Sequence, residues 1–575
     1  MITEEDLINA YRKTKVDLFY SNRQNFRSLL EYEQDLKNNL EKLIDVVNAG
    51  RDVSYFKIDP NSYSLMGKSA EKKNDSTNDY DVTFRLIENF SIDFHILSSL
   101  WIQKIGEKID AEFDDNIVYG NRLRRREDGV LSQNSLGNFK PYSRQYGAWQ
   151  NKAINAINVS LKAGNAVSIF TTDVTAFYHT IPLEVLQSVE MNEYVEEEYE
   201  SLHRLFSNCL FEWRDEILEG SLFNHSDSEE NVGKHIGIPV GLSASGIIAN
   251  WIMRPLDDEI LERLTPVYYG RYVDDILLVL PNIGNYKQQE NMIHWLESQL
   301  DCLKLTKDNG NKLHYYFTYN TNNSSVSFPL NESKSNVIEL ESEFGSVELE
   351  VFIRQRNENT SEWRALPELP IDSKRVKTRL LEIQKNDNLK SLALRSFEKV
   401  SKNRMKFIFT LRDFEACLRI FPPSAWKAQR EAFLEMFAKY FVTFEQFFEY
   451  EKYFYRVFTL GIMGKDYKAL AKILYAFSEM MNKLNTKGDL HITGPVDKKP
   501  SCNKECLFNK YHKNVLENIE NLIERSCSGF DYSLLTVEFK RLVGKKDNDV
   551  VQKINIWMNG FKEQKSISNE DGELS

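Results

Sequence analysis

The sequence predicts an α+β fold in which a mixed region of strands and helices precedes an all-helical C-terminal region. Residues 166–174 (AVSIFTTDV) and 267–281 (VYYGRYVDDILLVLP) are apolar or β-branched runs of strand length, and the second is hinged on two acids. After Pro370, apolar residues recur at helical spacing almost without interruption, most densely from Ala425 to Met481. An array of paired helices, as in helical-repeat proteins, suits that pattern.

The remaining elements follow from local spacing. Residues 1–50 have helical spacing of leucines, residues 60–79 are polar and turn-rich and predict a loop, and residues 92–113 predict a helix. Short strand-like segments occupy residues 301–356. The expected domains are therefore an N-terminal helical segment at 1–84, a mixed domain at 85–365 and an all-helical domain at 366–575.

Composition excludes several classes of protein. The 575 residues contain no apolar run of about 18 residues and no apolar signal-peptide core at the N-terminus. Six irregularly spaced cysteines predict no disulfide framework, so a cytosolic location is expected. The net charge of −12 is unfavourable for general nucleic-acid binding. Local basic clusters can still line one channel on an acidic body, the alternative being solvated helix faces. They are Arg122 with Arg124, Arg125 and Arg126; Lys374 with Arg375, Lys377 and Arg379; and Lys402 with Arg404 and Lys406.

Two adjacent acids, Asp274 and Asp275, stand in the turn between the two apolar runs of residues 267–281. Like charges repel there unless a cation binds. Mg²⁺ prefers oxygen ligands, and Asp173 at the end of another buried strand completes a clamp for two ions about 4 Å apart. Such a pair serves in-line phosphoryl transfer. The alternative is a plain turn with solvated acids.

Three segments resemble the sequence boxes of reverse transcriptases. YVDD at residues 272–275 resembles the catalytic Tyr-x-Asp-Asp box, and DVTAFYHTI at 173–181 resembles the first palm box. GIPVGLSASGIIAN at 237–250 is similar to the intron-type box Gly-x-Pro-Gln-Gly-x-x-x-Ser-Pro-x-x-Ala-Asn. Because the three boxes occur in the family's order, the resemblance implies right-hand polymerase fingers and palm over about residues 85–356.

The resemblance also implies roles for individual residues. Asp173, Asp274 and Asp275 would hold two Mg²⁺ ions, with the Val174 carbonyl as a further ligand. Tyr178 falls at the steric gate, the bulky ring that excludes a ribose 2′-hydroxyl. The other residues implied to bind the nucleotide are Pro239, Val240, Gly241, Arg122, Arg124 and Lys334. For Tyr178 and Lys334 the alternatives are a core aromatic and a surface lysine. The aromatic residues Tyr142, Tyr146 and Trp149 either stack on bases or pack the fingers, and packing is favoured.

Two positions depart from the family's pattern. Val240 stands where the family usually has glutamine, and Gly246 where it usually has proline. That glutamine normally contacts the incoming nucleotide, so the pocket that reads the nucleotide is expected to be unusual.

The layout is similar to the abortive-infection and other defence-associated reverse transcriptases of bacteria, which join fingers and palm to a helical-repeat domain. This resemblance implies DNA synthesis from dNTPs, either copied from a partner non-coding RNA or made without a nucleic-acid template, sometimes from a tyrosine of the protein itself. The nucleic-acid partners it implies are a non-coding RNA template, the protein's own DNA product, or both. It also implies a role in antiphage defence in the bacterial cytoplasm, assembly as a homo-oligomer and no membrane partner.

Other readings stay open from sequence. They are a catalytically silent RNA-binding scaffold with a polymerase-like fold, an RNA-dependent RNA polymerase, and a maturase-like splicing factor. Cys502, Cys506 and His512, with Cys527 as a fourth, have zinc-ligand chemistry, but the spacing is loose and isolated thiols are more often incidental.

Overall fold

The structure is a computed structural model. It describes residues 1–21, 26–59, 62–73, 79–133, 135, 137–219, 236–282, 289–307, 313–320, 325–331, 335–341, 372–384, 402–493, 503–526, 529–544 and 550–558. The predicted domain boundary at residues 365 and 366 lies outside the described residues. The other predicted boundary, at 84 and 85, lies inside a strand.

Helices and strands alternate up to residue 340, and helices dominate after residue 372. The helices of the first part are α1 Glu4–Ser21, α2 Phe26–Gln34, α3 Leu36–Ala49, α4 Ile92–Trp101, α5 Glu107–Ala111, α6 Tyr142–Lys162, α7 Phe177–Thr180, α8 Val189–Asn192, α9 Glu200–Glu219, α10 Ser243–Ile252, α11 Arg254–Leu264 and α12 Gln289–Gln299. Its strands are β1 Tyr63–Lys72, β2 Tyr80–Glu88, β3 Val167–Thr172, β4 Tyr268–Tyr272, β5 Asp275–Pro281, β6 Leu303–Lys307, β7 Leu313–Asn320, β8 Ser325–Pro329 and β9 Asn336–Leu340. The second part has α13 Ser373–Gln384, α14 Lys402–Ile420, α15 Lys427–Tyr440, α16 Phe444–Gly464, α17 Tyr467–Lys487, β10 Gly488–Thr493, α18 Lys504–Ser526 and α19 Tyr532–Val543.

The central sheet has the strand order β4-β5-β3-β9, and its neighbouring strands are antiparallel. Its two middle strands are almost continuously buried because both of their faces are covered. Helix α6 packs on one face, where Trp149, Ile157 and Leu161 join the strand residues Val167 and Val279 in one core cluster. The strand and hairpin predictions for residues 166–174 and 267–281 are confirmed.

Two helices near this sheet are buried around their whole circumference. Every residue of α4 except Asp93 is buried, and so are nine of the ten residues of α10. A helix that is buried on all sides lies in the interior of the fold. Helix α4 continues through a π-helical stretch, Ile102–Gly106, into α5, so the predicted helix at 92–113 is confirmed. Helix α10 precedes the β4–β5 hairpin, and its Asn250 accepts a hydrogen bond from Arg271 of β4 at 2.8 Å.

The loop predicted at residues 60–79 is wrong over half of its length, because β1 occupies residues 63–72. Strand β1 pairs antiparallel with β2, and β10 adds to the other edge of β2 in a parallel register. The error has a physical reason. Strand β1 is polar along much of its length and is extended because it pairs with β2. The third strand, β10, comes from beyond residue 480. Local sequence patterns carry no information about a partner so distant in the chain.

The C-terminal region is a stack of helices with a core rich in phenylalanine. Phe407, Phe437, Phe454 and Phe477 are all at most 1% exposed and pack ring against ring with their neighbours. The prediction of an all-helical region is wrong at β10, which lies between α17 and α18. Because β10 pairs with β2, the N-terminal hairpin, β1 to β2, forms one sheet with a strand of the C-terminal region.

Helix α1 also packs into the body of the protein. The buried Lys13 Nζ donates to the Ser132 carbonyl at 2.7 Å and to Ser135 Oγ at 3.0 Å. Asp17 accepts from the Asn138 amide at 2.7 Å and from Ser243 Oγ at 3.3 Å. Helix α1 therefore supports Ser132, Ser135 and Asn138 as well as the start of α10.

Candidate active site

The hairpin of residues 268–281 consists of β4, a tight turn and β5. It carries two of the three predicted catalytic acids and is called the catalytic hairpin for that prediction. Tyr272 pairs with Asp275 across the turn, and Thr172 at the end of β3 pairs with Ile276. Asp173 follows Thr172 directly, so it lies at the same end of the sheet as Asp274 and Asp275. The strand register therefore brings the three predicted catalytic acids to the same end of the central sheet.

Asp173, the residue after β3, is 6% exposed, and backbone hydrogen bonds fix the chain around it. Its carbonyl accepts a hydrogen bond from the Asn331 amide at 2.8 Å, and the next residue, Val174, bridges to Leu330. The Thr175 amide donates to the Pro329 carbonyl at 2.7 Å. The segment after β8 thus holds the backbone of the first predicted metal-binding residues.

The turn of the catalytic hairpin is strained. Val273 has a φ of +60°, a left-handed conformation that is unfavourable for a β-branched residue. The Arg271 guanidinium donates to the Val273 carbonyl at 3.1 Å and so supports this conformation. A residue held in a rare conformation beside two acids agrees with the tendency of strain to occur at functional sites.

Sequence reasoning missed the network that holds this turn. Arg271 is fully buried and donates to both carboxylate oxygens of Asp257, at 2.8–2.9 Å, and to Asn250 Oδ1 at 2.8 Å. The Tyr269 hydroxyl donates to Asp257 at 2.6 Å. Charge-assisted pairing of this kind compensates the cost of burying both ions. The signal for it was an arginine between apolar strand residues, directly before the Tyr-Val-Asp-Asp box.

Tyr178 lies close to the acids, on the short helix α7. The Asn121 side-chain amide donates to its hydroxyl at 3.1 Å. Burial raises the pKa of the Tyr178 phenol, and the negative charge of Asp274 raises that pKa further. The structure therefore places the predicted gate residue within electrostatic reach of the catalytic turn.

The loop at residues 237–241 packs against the backbone of Tyr178. The Ile238 amide donates to the Tyr178 carbonyl at 2.8 Å, and a Cβ at Gly237 would lie 2.3 Å from the same oxygen. Gly237 has a φ of +77°, so this contact needs glycine twice over. Pro239 is buried, Val240 half-buried and Gly241 exposed. The predicted nucleotide-binding loop is thereby joined to the predicted gate.

Arg122 and Arg124 lie close to this region but differ in environment. Arg122 is 4% exposed, and its guanidinium donates to Asp110 Oδ1 at 2.9 Å and to the carbonyls of Val118, Asp110 and Phe113. These contacts hold it inside the protein and do not favour a triphosphate contact. Arg124 is half-buried and donates to the Phe139 carbonyl at 2.6 Å. Their binding roles stay predictions.

The basic cluster around Arg122 is largely neutralised by acids of the protein itself. Arg125 pairs with Glu107 at 3.2 Å and with Asp110 at 3.3 Å, and Arg126 pairs with Asp128. From the sequence, this cluster was expected either to line a channel or to form a solvated helix face. The structure shows a third arrangement, in which two arginines anchor the loop after α5 through internal ion pairs.

The aromatic residues of α6 pack against the catalytic hairpin, as expected. The Tyr146 and Tyr142 rings contact the Tyr272 ring, with centroids 5.3 and 5.2 Å apart. Trp149 packs against Tyr146 at 5.2 Å. Tyr142 keeps 59% of its surface exposed, whereas Tyr146 and Trp149 are buried. Helix α6 therefore supports Tyr272 of the predicted catalytic box.

Several predicted residues lie elsewhere or outside the described part of the chain. Lys334, Cys502 and Cys527 are outside the described residues. Cys506 is exposed on α18, whereas His512 is buried and stacks on the rings of Phe477 and Phe508. Packing between two rings accounts for the burial of His512.

One group of three potential metal ligands within 4.8 Å of one another occurs among the described residues: Asp81, Asp489 and His491. All three are exposed, and the Lys73 ammonium pairs with both acids. The ion pairs account for this cluster without a metal. Asp173, Asp274 and Asp275 are not such a group, although their oxygen-only donor set suits Mg²⁺ better than the mixed set at the surface does.

Comparison with known proteins agrees with the motifs. Residues 72–311 match the family model described as reverse transcriptase (RNA-dependent DNA polymerase). This range is less than half of the chain and includes β2, α4, α10 and most of the central sheet. The match indicates an RNA-directed DNA polymerase, which is a nucleotidyltransferase, so the predicted enzyme class is confirmed. A search of curated proteins finds no match. No helix in the described part of the chain is long and apolar enough to span a membrane.

Proposed function

We propose that the protein is a DNA polymerase that adds dNTPs by two-metal phosphoryl transfer, copying RNA or extending DNA without a template. The observation that carries the proposal is the convergence of Asp173, Asp274 and Asp275 at one end of the central sheet, inside the range that matches reverse transcriptases. Three carboxylates at one strand edge repel one another and become favourable when cations bind.

The donor chemistry fits Mg²⁺. Asp173, Asp274 and Asp275, with the Val174 carbonyl, offer only oxygen ligands, which Mg²⁺ prefers. Two bound ions would supply activation of the primer 3′-hydroxyl and charge neutralisation at the leaving pyrophosphate. The buried Arg271–Asp257 pair and the strained Val273 turn keep Asp274 and Asp275 in place, so that little reorganisation is required at the moment of reaction.

The nucleotide pocket would be formed by the residues around the acids. Tyr178 would exclude a 2′-hydroxyl, and the loop from Pro239 through Val240 to Gly241 would approach the base and sugar. Arg124 has the exposure to reach a triphosphate, whereas Arg122 would act by fixing the loop that carries it. Lys334 is proposed as the proton donor to pyrophosphate on the resemblance alone.

The biological role we propose is antiphage defence in the bacterial cytoplasm. Its support is the layout of the chain, in which a helical region rich in aromatic residues follows the polymerase part. The partners would be dNTPs, a non-coding RNA or the protein's own DNA product, and further copies of the same chain. The acidic net charge of −12 favours one tightly bound nucleic acid over scanning of genomic DNA.

The test is incorporation of labelled dNTPs by purified protein with Mg²⁺. Asp274→Asn and Asp275→Asn should each abolish incorporation, because each removes a metal-binding charge. Asp258→Asn is the matched control, since Asp258 is an exposed acid on α11, and it should retain full incorporation. Incorporation of rNTPs instead of dNTPs would establish an RNA polymerase. Equal signal in wild type and both acid variants would contradict the proposal, and sequencing the co-purified nucleic acid would identify the template.

A further inference from the structure

The gate residue Tyr178 has one side-chain partner whose position is unusually constrained. The Asn121 amide donates to the Tyr178 hydroxyl at 3.1 Å, and Asn121 has a φ of +50°. Asparagine is among the few residues other than glycine that adopt this left-handed conformation readily. The amide therefore reaches the phenol from a turn that few other side chains would tolerate.

The turn that carries Asn121 is wedged between two elements of the site. The Asn250 side chain on α10 donates to the Gly120 carbonyl at 2.8 Å. On the other side, a Cβ at Gly120 would lie 2.6 Å from Val273 Cγ2 and 2.7 Å from the Val273 amide nitrogen. The turn thus contacts the strained residue of the catalytic hairpin, and α10 fixes its carbonyl. These contacts consequently fix the position of Asn121 relative to Asp274 and Asp275.

Gly246 provides the space that the Asn121 side chain occupies. A Cβ at Gly246 would lie 2.7 Å from Asn121 Nδ2 and 2.9 Å from Cγ, distances at which one of the two must move. Position 246 is where the sequence departs from the proline usual in the resembling family. The glycine at this position therefore leaves room for the Asn121 side chain that donates to Tyr178.

We infer that Asn121 is a positioning residue for sugar selection: its amide fixes the Tyr178 ring against the nucleotide, and the absence of a side chain at Gly246 permits this contact. The inference rests on the proposed function, since it requires that Tyr178 meets the sugar of an incoming nucleotide. A ring held by a hydrogen bond excludes the 2′-hydroxyl more completely than a ring that is free to rotate.

The experiment measures kcat/KM for a dNTP and for the matching rNTP. Asn121→Gly removes the amide and keeps the backbone conformation, so the fold should persist. Discrimination against the rNTP should fall by about three- to tenfold, the range expected for one hydrogen bond. The change should fall mainly on the KM for the rNTP. Lys465→Gly is the control, because Lys465 is exposed, has a φ of +54° and lies at the end of α16.

Two double variants separate positioning from a general structural effect. Tyr178→Phe removes the hydroxyl that accepts from Asn121, so adding Asn121→Gly to it should cause no further loss of discrimination. Gly246→Ala should reduce discrimination alone, because its Cβ displaces the Asn121 amide, but should have no effect once Asn121 is glycine. Circular dichroism and Tm verify that each variant folds.

The failures are distinguishable. If Tyr178→Ala loses discrimination and Asn121→Gly retains it, or if the losses of Asn121→Gly and Tyr178→Phe add, the inference is overturned and the proposed function stands. If the wild-type protein incorporates no dNTP, the proposed function itself fails. Loss of discrimination in both single variants without additivity supports the inference.

Discussion

Two hairpins of this molecule are each held by a buried carboxylate from another element, and they differ in how the charge is compensated. In the catalytic hairpin, Asp257 accepts from Arg271 through both carboxylate oxygens. In the N-terminal hairpin, β1 to β2, Glu451 of α16 accepts from the Gly67 amide at 2.8 Å and from the Tyr511 hydroxyl at 2.9 Å. Both of those partners are neutral.

The difference has an electrostatic consequence. Glu451 is 5% exposed, and burial raises its pKa to about 7 even though both hydrogen bonds lower it. Two neutral donors compensate less of the cost of burying an anion than a guanidinium does. The catalytic hairpin is therefore fixed by a pair of full charges, while the hairpin that joins the C-terminal helices depends on the protonation of one acid.

The largest effect is expected from breaking the charged pair. Asp257→Ala leaves the Arg271 guanidinium buried without its counter-ion, which should lower the free energy of unfolding by about 3–5 kcal/mol. Chemical denaturation followed by circular dichroism measures this change. Asp258→Ala, at the next position of α11 with an exposed side chain, should stay within about 0.5 kcal/mol of wild type. Similar losses in both variants would contradict the role given to Asp257.

A displaced catalytic turn should affect activity more than stability. Gly120→Ala places a Cβ 2.6 Å from Val273 Cγ2, so the turn that carries Asp274 must shift. A displacement of this kind costs on the order of 100-fold in rate. Nucleotide incorporation at saturating dNTP measures it, alongside Tm. Full activity in a folded Gly120→Ala protein would show that the turn is not held where we place it.

The N-terminal hairpin offers the matching test of stability. Gly67→Ala puts a Cβ 2.2 Å from Phe448 Cδ1 and 2.6 Å from Glu451 Oε2. Forcing the helix and the strand apart should cost about 1–3 kcal/mol in the free energy of unfolding. Gly147→Ala is the control, because nothing lies within 4 Å of a Cβ there and alanine favours a helix. That variant should be at least as stable as wild type.

The smallest effect is a pH dependence that belongs to Glu451. Its pKa is higher in the folded protein, about 7, than the ordinary 4.5, so the native state binds more protons between those values. Stability should therefore fall as pH rises from about 4.5 to 7, and Glu451→Gln should remove this fall because glutamine does not titrate. Denaturation midpoints at several pH values measure it. Glu431→Gln is the control that should follow wild type, because Glu431 of α15 is partly exposed and pairs with Lys427. A steeper decline in Glu451→Gln would refute the assignment.

The catalytic acids illustrate what local sequence can reveal. Asp173 ends one apolar run, and Asp274 and Asp275 interrupt another. Because such runs form buried strands, the sequence predicted that these acids stand at strand ends. The Tyr-Val-Asp-Asp box and the glycine-rich box added their order along the chain. Packing by Tyr142, Tyr146 and Trp149 was likewise predicted from the spaced aromatic residues, although the helix that carries them was not.

The supporting contacts were not predictable in the same way. An arginine at 271 reads as a charged residue, and only the fold shows that Asp257 and Asn250 surround it. Arg122 and Arg125 read as a basic surface, yet Asp110 and Glu107 neutralise them because α5 packs against their loop.

By itself, the sequence determined the chemistry of this protein: which acids stand at the ends of buried strands, and which aromatic and glycine residues follow them. Strand periodicity and turn composition act over a few residues, so they can be read locally. The tertiary structure alone decided that β10 joins the β1–β2 sheet, that Gly67 meets Glu451 and that Asn121 holds Tyr178. Those contacts join residues far apart in the chain, and their energies exist only once packing has excluded water and aligned the partners.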